Sequence, residues 1–351
     1  MIVWTRGAET LGGGINGHIF KDIISSRNLF AAWREFRRGK RLKDDVQRFE
    51  FSLEDNIFEL QRSLQSKTYR HGSYQSFYVR DPKLRHIHKA TIRDRLLHQA
   101  VFRGLYHLFD KRFIHDSYSC RLGKGTHKGV LRLQELARSV SANNRQTAYA
   151  LKCDIKKFFA SIDRGILLNL LEKKIPDADT RWLVWQIVES FRPGLPLGNV
   201  TSQLFANIYL NDLDQFVKHK LRERYYIRYC DDFIILGRGE KHLLDILPHI
   251  QEFLTNELRL ALHPDKIILC KLSAGIDFLG YVVLPYHTVL RTRTKRRMMK
   301  KIFAKHNTFL DGAINDKDFL ASISSYEGML KHCRGHELRQ RLYTIAKLVI
   351  G

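Results

Sequence analysis

Two rhythms of apolar spacing run through this chain. Leu29, Phe30, Trp33 and Phe36 recur at helical intervals and share one side of a helix. Asn56–Leu64, preceded by Ser52, predicts a second helix. Tyr74–Arg80 then reads as a strand, turned by Asp81-Pro82-Lys83 into Leu84–Ile87. A long helix is predicted from Thr91 to Leu108.

The central sequence mixes strands with helices. Residues 148–155 predict a buried strand, Asp163 starts a helix towards Leu171, and another helix spans Asp179–Glu189. Pro193–Gly198 forms a compact loop leading into Ser202–Leu210, a helix with a large apolar face. Residues 226–229 and 233–236 predict strands on either side of a tight turn. Leu243–Leu258 predicts a helix, Lys266–Leu269 and Phe278–Val283 short strands, and Phe319–Leu348 further helices. The expected class is therefore α+β. Residues 1–25, with Gly12-Gly13-Gly14 and Gly17, read as a flexible N-terminal extension, because glycine runs cost ordering entropy and bring no core surface. A boundary is expected near 288–292, where the sequence turns intensely basic.

Charge narrows the partners. The chain of 351 residues carries 60 Lys and Arg against 36 Asp and Glu, a formal net charge of +24. Such an excess repels itself unless a polyanion offsets it, and nucleic acid is the natural candidate. Cys120, Cys153, Cys230, Cys270 and Cys333 are scattered and odd in number, which points to reduced thiols rather than a zinc site or a disulfide framework. The start of the chain lacks a secretory apolar core and no stretch approaches a membrane span, so a cytoplasmic protein without a membrane partner is expected.

The candidate chemistry lies in Tyr229-Cys230-Asp231-Asp232, followed by Phe233-Ile234-Ile235-Leu236. Two adjacent carboxylates sit where one β-rich run meets another, and Leu151-Lys152-Cys153-Asp154 ends a third run in an aspartate. An isolated Asp-Asp is ordinarily a solvated turn. The flanking strands and Asp154 shift that balance towards a set able to hold two Mg²⁺ ions against a nucleoside triphosphate. Asp154 and Asp231 are the preferred direct ligands, with Asp232 a weaker ligand or a tuning group. A template-copying polymerase follows.

These motifs, over about residues 50–340, resemble the reverse transcriptases of mobile elements, most closely those of diversity-generating retroelements. Asp154 matches the first catalytic aspartate and Tyr229–Asp232 the Tyr-x-Asp-Asp signature. Gly194–Asp214 matches the segment joining the active centre to the template path, and Ile276–Tyr281 resembles the element near the primer. The resemblance implies a right-hand polymerase: residues 26–150 the N-terminal region and fingers, 151–290 mainly palm, and 291–351 a helical thumb and tail.

It also implies roles for single residues. Phe159 would lie beneath the incoming sugar and exclude a 2′-hydroxyl, so deoxynucleoside triphosphates are the expected substrates and an RNA-dependent RNA polymerase is disfavoured. Lys83 and Arg85 would belong to a fingers hairpin over the triphosphate; Arg121, in Ser119–Gly125, is a further phosphate-binding candidate, with Lys124 a weaker one. That loop lacks a Lys-Ser/Thr ending, which excludes a P-loop ATPase. Lys266 resembles the lysine that follows the acidic turn in the family. Arg291, Arg293, Lys295, Arg296 and Arg297 would contact duplex phosphates.

Within Leu195–Gln203, many reverse transcriptases have glutamine where Leu197 stands and proline where Gln203 stands. Leu197 and Gln203 resemble the diversity-generating subgroup. A glutamine beside the nascent pair can hydrogen-bond; leucine cannot. The expectation is error-prone synthesis opposite template adenine, on a structured template RNA, with a small pentameric accessory variability protein, in a bacterium or phage. The alternatives are a group II-like or defence-associated enzyme of ordinary fidelity, or an inactive RNA-binding scaffold. Little chain follows the tail to form a nuclease or maturase module, which turns the expectation away from a complete group II intron protein.

Overall fold

A computed structural model of the protein describes residues 18–80 and 83–350. The fold is α+β, with strands in three sheets. β1 (Gln75–Arg80) and β2 (Leu84–Lys89) form an exposed antiparallel hairpin. β3 (Tyr149–Asp154), β4 (Tyr226–Tyr229), β5 (Asp232–Gly237) and β6 (Ile268–Lys271) form a sheet in the order β4-β5-β3-β6. β7 (Ile276–Phe278), β8 (Tyr281–Val283) and β9 (Thr288–Leu290) make a small antiparallel meander.

The chain gathers into two compact units. Of the described residues, one unit takes those up to Gly123 together with Asp154–Arg222 and Pro248–His263; the other takes Lys124–Cys153, Glu223–Leu247 and those from Pro264 onward.

The first unit is mostly helical. The helix Ser26–Phe36 buries Leu29, Trp33 and Phe36 and packs against the helix Ile92–Asp110. Each such side chain contributes about 1.5–3 kcal/mol by leaving water. Thr91 starts the longer helix by accepting from the Asp94 amide, and Asp163 starts Arg164–Glu172 by accepting from Ile166. The helix Val200–Gln215 is buried on nearly every side, with Asn207 donating to the Ser119 carbonyl and the Tyr209 hydroxyl to Leu258.

The second unit holds the four-stranded sheet and the meander. β5 places Phe233, Ile234 and Ile235 wholly inside. The helix Thr126–Val140 covers this sheet, and the helices Thr292–Leu310, Asp316–Leu330 and His336–Ile350 follow the meander.

Three expectations need correction. The flexible extension falls largely on residues 1–17, outside the described residues, but its end is ordered: Ile19–Ile24 is a helix burying Phe20, Ile23 and Ile24. Lys266 lies in a 3₁₀ turn, Pro264–Lys266, because proline there cannot donate to a ladder, and the strand starts at Ile268. Phe278–Val283 is not one strand but the turn of a hairpin, reversed at Leu279 and Gly280, whose φ angles are 53° and 91°. Among the described residues no helix is long and apolar enough to cross a membrane.

Candidate active site

β4 and β5 pair from Tyr226 with Ile235 to Tyr229 with Asp232, so the reversal falls on Cys230 and Asp231. Cys230 takes a positive φ of 58°, the conformation that so tight a reversal demands. Arg228, fully buried on β4, donates to the Cys230 carbonyl at 3.1 Å and braces the turn from beneath. Tyr229 is held from outside, its hydroxyl 3.2 Å from Thr126 Oγ1. Both carboxylates of the turn are half-buried.

Lys152 of β3 lies beside this turn. Its ammonium is 3.3 Å from Asp232 Oδ2 and donates to the Asp277 carbonyl at 2.6 Å. Burial, reinforced by the Asp232 charge, pushes the neighbouring Cys153 thiol up to about 12, so it stays protonated. Asp277 pairs in turn with Arg291.

Asp154 is the last residue of β3, the strand next to β5, which Asp232 opens. Its carbonyl accepts from the His263 amide at 2.8 Å, and Lys156 donates to Ala261 at 2.9 Å. Among the described residues, no group of three or more His, Cys, Asp or Glu is placed to hold a metal ion. The donor chemistry of the turn nevertheless suits a hard divalent cation: adjacent carboxylates, with a cation already sharing Asp232.

The nucleotide-contact candidates of the first unit meet through the backbone. Phe158 is buried at 3% exposure, whereas Phe159 is partly open, as a residue facing a ligand would be. The Phe159 carbonyl accepts from Leu195 at 2.8 Å. Gly194, with φ 65°, makes that approach possible: a Cβ there would lie 2.1 Å from the same carbonyl. Two residues on, the Leu197 carbonyl accepts from the His88 amide of β2 at 3.1 Å. The loop thus ties the Phe159 segment to the β1–β2 hairpin. Lys83 and Arg85 are exposed on that hairpin, without partners among the described residues. At the start of Val200–Gln215, the Gln203 Oε1 and both amide atoms of Asn199 are buried without partners among the described residues.

Arg121 is not available in this way. It is 8% exposed; its guanidinium donates to Asp110 Oδ1 and to the Ile114 carbonyl at 2.7 Å each, and to Ser117 at 3.1 Å. These bonds stitch its own loop, so the phosphate-binding expectation is corrected. Arg291 caps Gly280 through its amide and pairs with Asp277, whereas Arg293 and Arg296 stand exposed and Lys295 and Arg297 half-exposed on the helix Thr292–Leu310. Lys266 is half-buried.

A family model described as reverse transcriptase (RNA-dependent DNA polymerase) matches residues 80–283, more than half of the chain. The chain belongs to the reverse transcriptase family. This reverse transcriptase is 22% identical over 262 residues to protein YkfC of Escherichia coli K12, covering 63% of this chain and 67% of that protein. It is 24% identical over 304 residues to the group II intron-encoded protein LtrA of Lactococcus lactis, covering 65% of this chain. The chain spans only 49% of LtrA's length. Among solved structures, a telomerase from Candida tropicalis with a telomeric RNA fragment superposes at TM-score 0.49 and 12% identity, over 83% of this chain and 61% of that one.

Sequence reasoning missed Arg228, His71 and His98, and took Thr201 only as part of the Leu195–Gln203 segment. A lone arginine in an apolar strand, Tyr226-Ile227-Arg228-Tyr229, was the available signal for the first. The others form one buried relay whose members are up to 130 residues apart, and no local pattern joins them.

Proposed function

We propose that this chain is an RNA-directed DNA polymerase of the group II intron type, copying RNA into cDNA from deoxynucleoside triphosphates with ordinary fidelity. The observation that carries the reading is the acidic turn: Asp231 and Asp232 in a braced reversal, next in the sheet to the strand that Asp154 closes. Bound there by Asp154 and Asp231, two Mg²⁺ ions would acidify a primer 3′-hydroxyl and offset triphosphate charge. Lys152 holds Asp232 back as a supporting group. Phe159 admits deoxyribose, and Lys83 and Arg85 steady the triphosphate.

On this reading the β1–β2 hairpin belongs to fingers, the four-stranded sheet to a palm, and the helices after Arg291 to a thumb. Arg293, Lys295, Arg296 and Arg297 would track the phosphates of the template–cDNA duplex. Similarity to intron-encoded proteins favours ordinary fidelity. A second reading, adenine-directed mutagenesis with a pentameric accessory protein, rests on Leu197, whose side chain offers a nascent pair no hydrogen bond.

The test is Mg²⁺-dependent extension of a primed RNA template with deoxynucleotides, beside D231A, with the products sequenced. Activity lost in D231A, with errors spread over all template bases, supports the first reading. Errors concentrated at adenine would move the assignment to the second. A wild type that binds RNA but never extends would sink both.

A further inference from the structure

The buried relay of His71, His98 and Thr201 has one arrangement of protons when both rings are neutral. His98, on the helix Ile92–Asp110, is 1% exposed. Its Nδ1 lies 2.5 Å from Thr201 Oγ1 and its Nε2 lies 3.0 Å from His71 Nε2. His71 Nδ1 faces the Gly72 carbonyl at 2.7 Å. A carbonyl only accepts, so His71 Nδ1 carries a hydrogen, and in the neutral ring its Nε2 is then a lone pair. His98 must then donate from Nε2, which leaves Nδ1 to accept from the Thr201 hydroxyl. Each hydrogen has one place, running from Thr201 through His98 and His71 to Gly72.

The ends of this relay are roots of segments that carry nucleotide-contact candidates. Gly72 lies three residues before β1 and is pinned at its amide by Asp94 Oδ2 at 3.0 Å. A side chain at Gly72 would meet Asp94 and Thr91 at 2.9 Å, so the root has no slack. Tyr74 locks it further, with its hydroxyl 2.8 Å from Ser190 Oγ, which itself donates to Ile187. At the other end, Thr201 sits between Leu197 and Gln203, in the first turn of the helix whose preceding loop reaches Phe159 and His88.

We propose that His71, His98 and Thr201 are positioning residues, setting the Leu197–Gln203 segment against the β1–β2 hairpin so that an incoming nucleotide meets both in register. The inference rests on the polymerase reading above. No member of the relay is one of the three aspartates, so its loss should weaken nucleotide capture more than the chemical step.

The test compares T201V, which keeps the shape of the side chain and removes its donor, with T201S, which restores it. T180V is the matched control: Thr180 is also fully buried and donates to Asp177 at 2.6 Å, on another helix. In primer extension, T201V should raise the KM for deoxynucleotide about tenfold with kcat within about twofold, as expected of lost positioning. T201S and T180V should stay near wild type. H98N, which breaks the relay on its His71 side, should repeat the T201V result and serves if T201V does not fold. Equal KM in T201V, T180V and wild type, or a T201S as impaired as T201V, would overturn the proposal while leaving the polymerase reading intact. If the wild type does not extend, that reading fails instead. Melting-temperature shifts on adding deoxynucleotide and Mg²⁺ then still judge the relay: a shift smaller in T201V and H98N than in T201S supports it, and equal or absent shifts overturn it.

Discussion

The Lys152 ammonium lies 3.3 Å from the Asp232 carboxylate while donating to the Asp277 carbonyl at 2.6 Å. One cation therefore joins the acidic turn to the first strand of the meander. Its side chain and that of Asp232 are only 16% and 21% exposed, so solvent screens the pair weakly. A carboxylate shared with an ammonium is a poorer ligand for a second cation, in keeping with the supporting role proposed for Asp232. D231N should reduce extension to background, whereas D232N and K152Q should each lose about 10- to 100-fold, the range for groups that orient a ligand. The double variant K152Q/D232N should lose less than the product of the two, since both remove one interaction. Equal losses in D231N and D232N would show that the two carboxylates have the same role.

Adjacent phenylalanines give a separate prediction. Phe158 is buried and Phe159 partly open, although their sequence environments are nearly the same. F159A should raise ribonucleotide use relative to deoxynucleotide about 100-fold, a gain of the size expected when a steric block is removed. F158A should cost about 3–5 kcal/mol of stability through its cavity. Steady-state incorporation of the two nucleotide types, together with urea unfolding, separates these outcomes. Unchanged sugar discrimination in F159A would end the gate assignment.

The pattern of apolar spacing was enough to place Ser26–Phe36, the β1–β2 hairpin and the β4–turn–β5 unit, because each obeys a local period or a local turn. It was not enough for Thr126–Val140, whose exposed polar face and glycine weaken the helical signal, nor for the end of the expected extension, where Phe20 and Ile23 are ordered by packing. The strand ends that carry Asp154 and Asp232 were legible because each closes or opens a largely apolar run. Arg121 was misleading for the opposite reason: a basic residue among glycines looks free until Asp110, Ile114 and Ser117 are found around it.

The basic helix after β9 offers unequal arginines. Arg291 is occupied by Asp277, whereas Arg293 and Arg296 face solvent. Binding of an RNA–DNA duplex should therefore weaken more in R293A and R296A than in R291A. Each of the first two should flatten the slope of log affinity against log salt by about one, the signature of one lost phosphate contact. Fluorescence anisotropy at several salt concentrations reads the slope directly. A slope unchanged in R293A/R296A would remove that helix from the nucleic-acid path.

Leu197 decides between the two readings of fidelity. Its carbonyl is held by His88, so substitution at its side chain should leave the loop in place. With ordinary fidelity, wild-type cDNA shows no excess of errors at template adenines, and L197Q leaves the spectrum unchanged. An adenine excess that L197Q lowers would instead make Leu197 the cause of mutagenic copying. Sequencing of cDNA from one defined template covers both outcomes.

His98 makes the relay sensitive to acid in a direction that can be worked out. Burial first, and then the neighbouring His71, draw its pKa down to about 3; Asp94 opposes them, and Arg95 adds a smaller push downward. In the unfolded chain the imidazole takes a proton near pH 6.5. Between those values the unfolded state binds a proton that the folded state refuses, so stability is full above pH 6.5 and falls as pH drops towards 3. The loss approaches about 1.4 kcal/mol per pH unit within that window, or about 2 kcal/mol between pH 7 and pH 5. H98N has no such proton to exclude, and its urea midpoint should decline less over the same interval. Parallel pH dependence in wild type and H98N would mean that His98 is protonated in the folded protein, and the single proton arrangement of the relay would then be wrong.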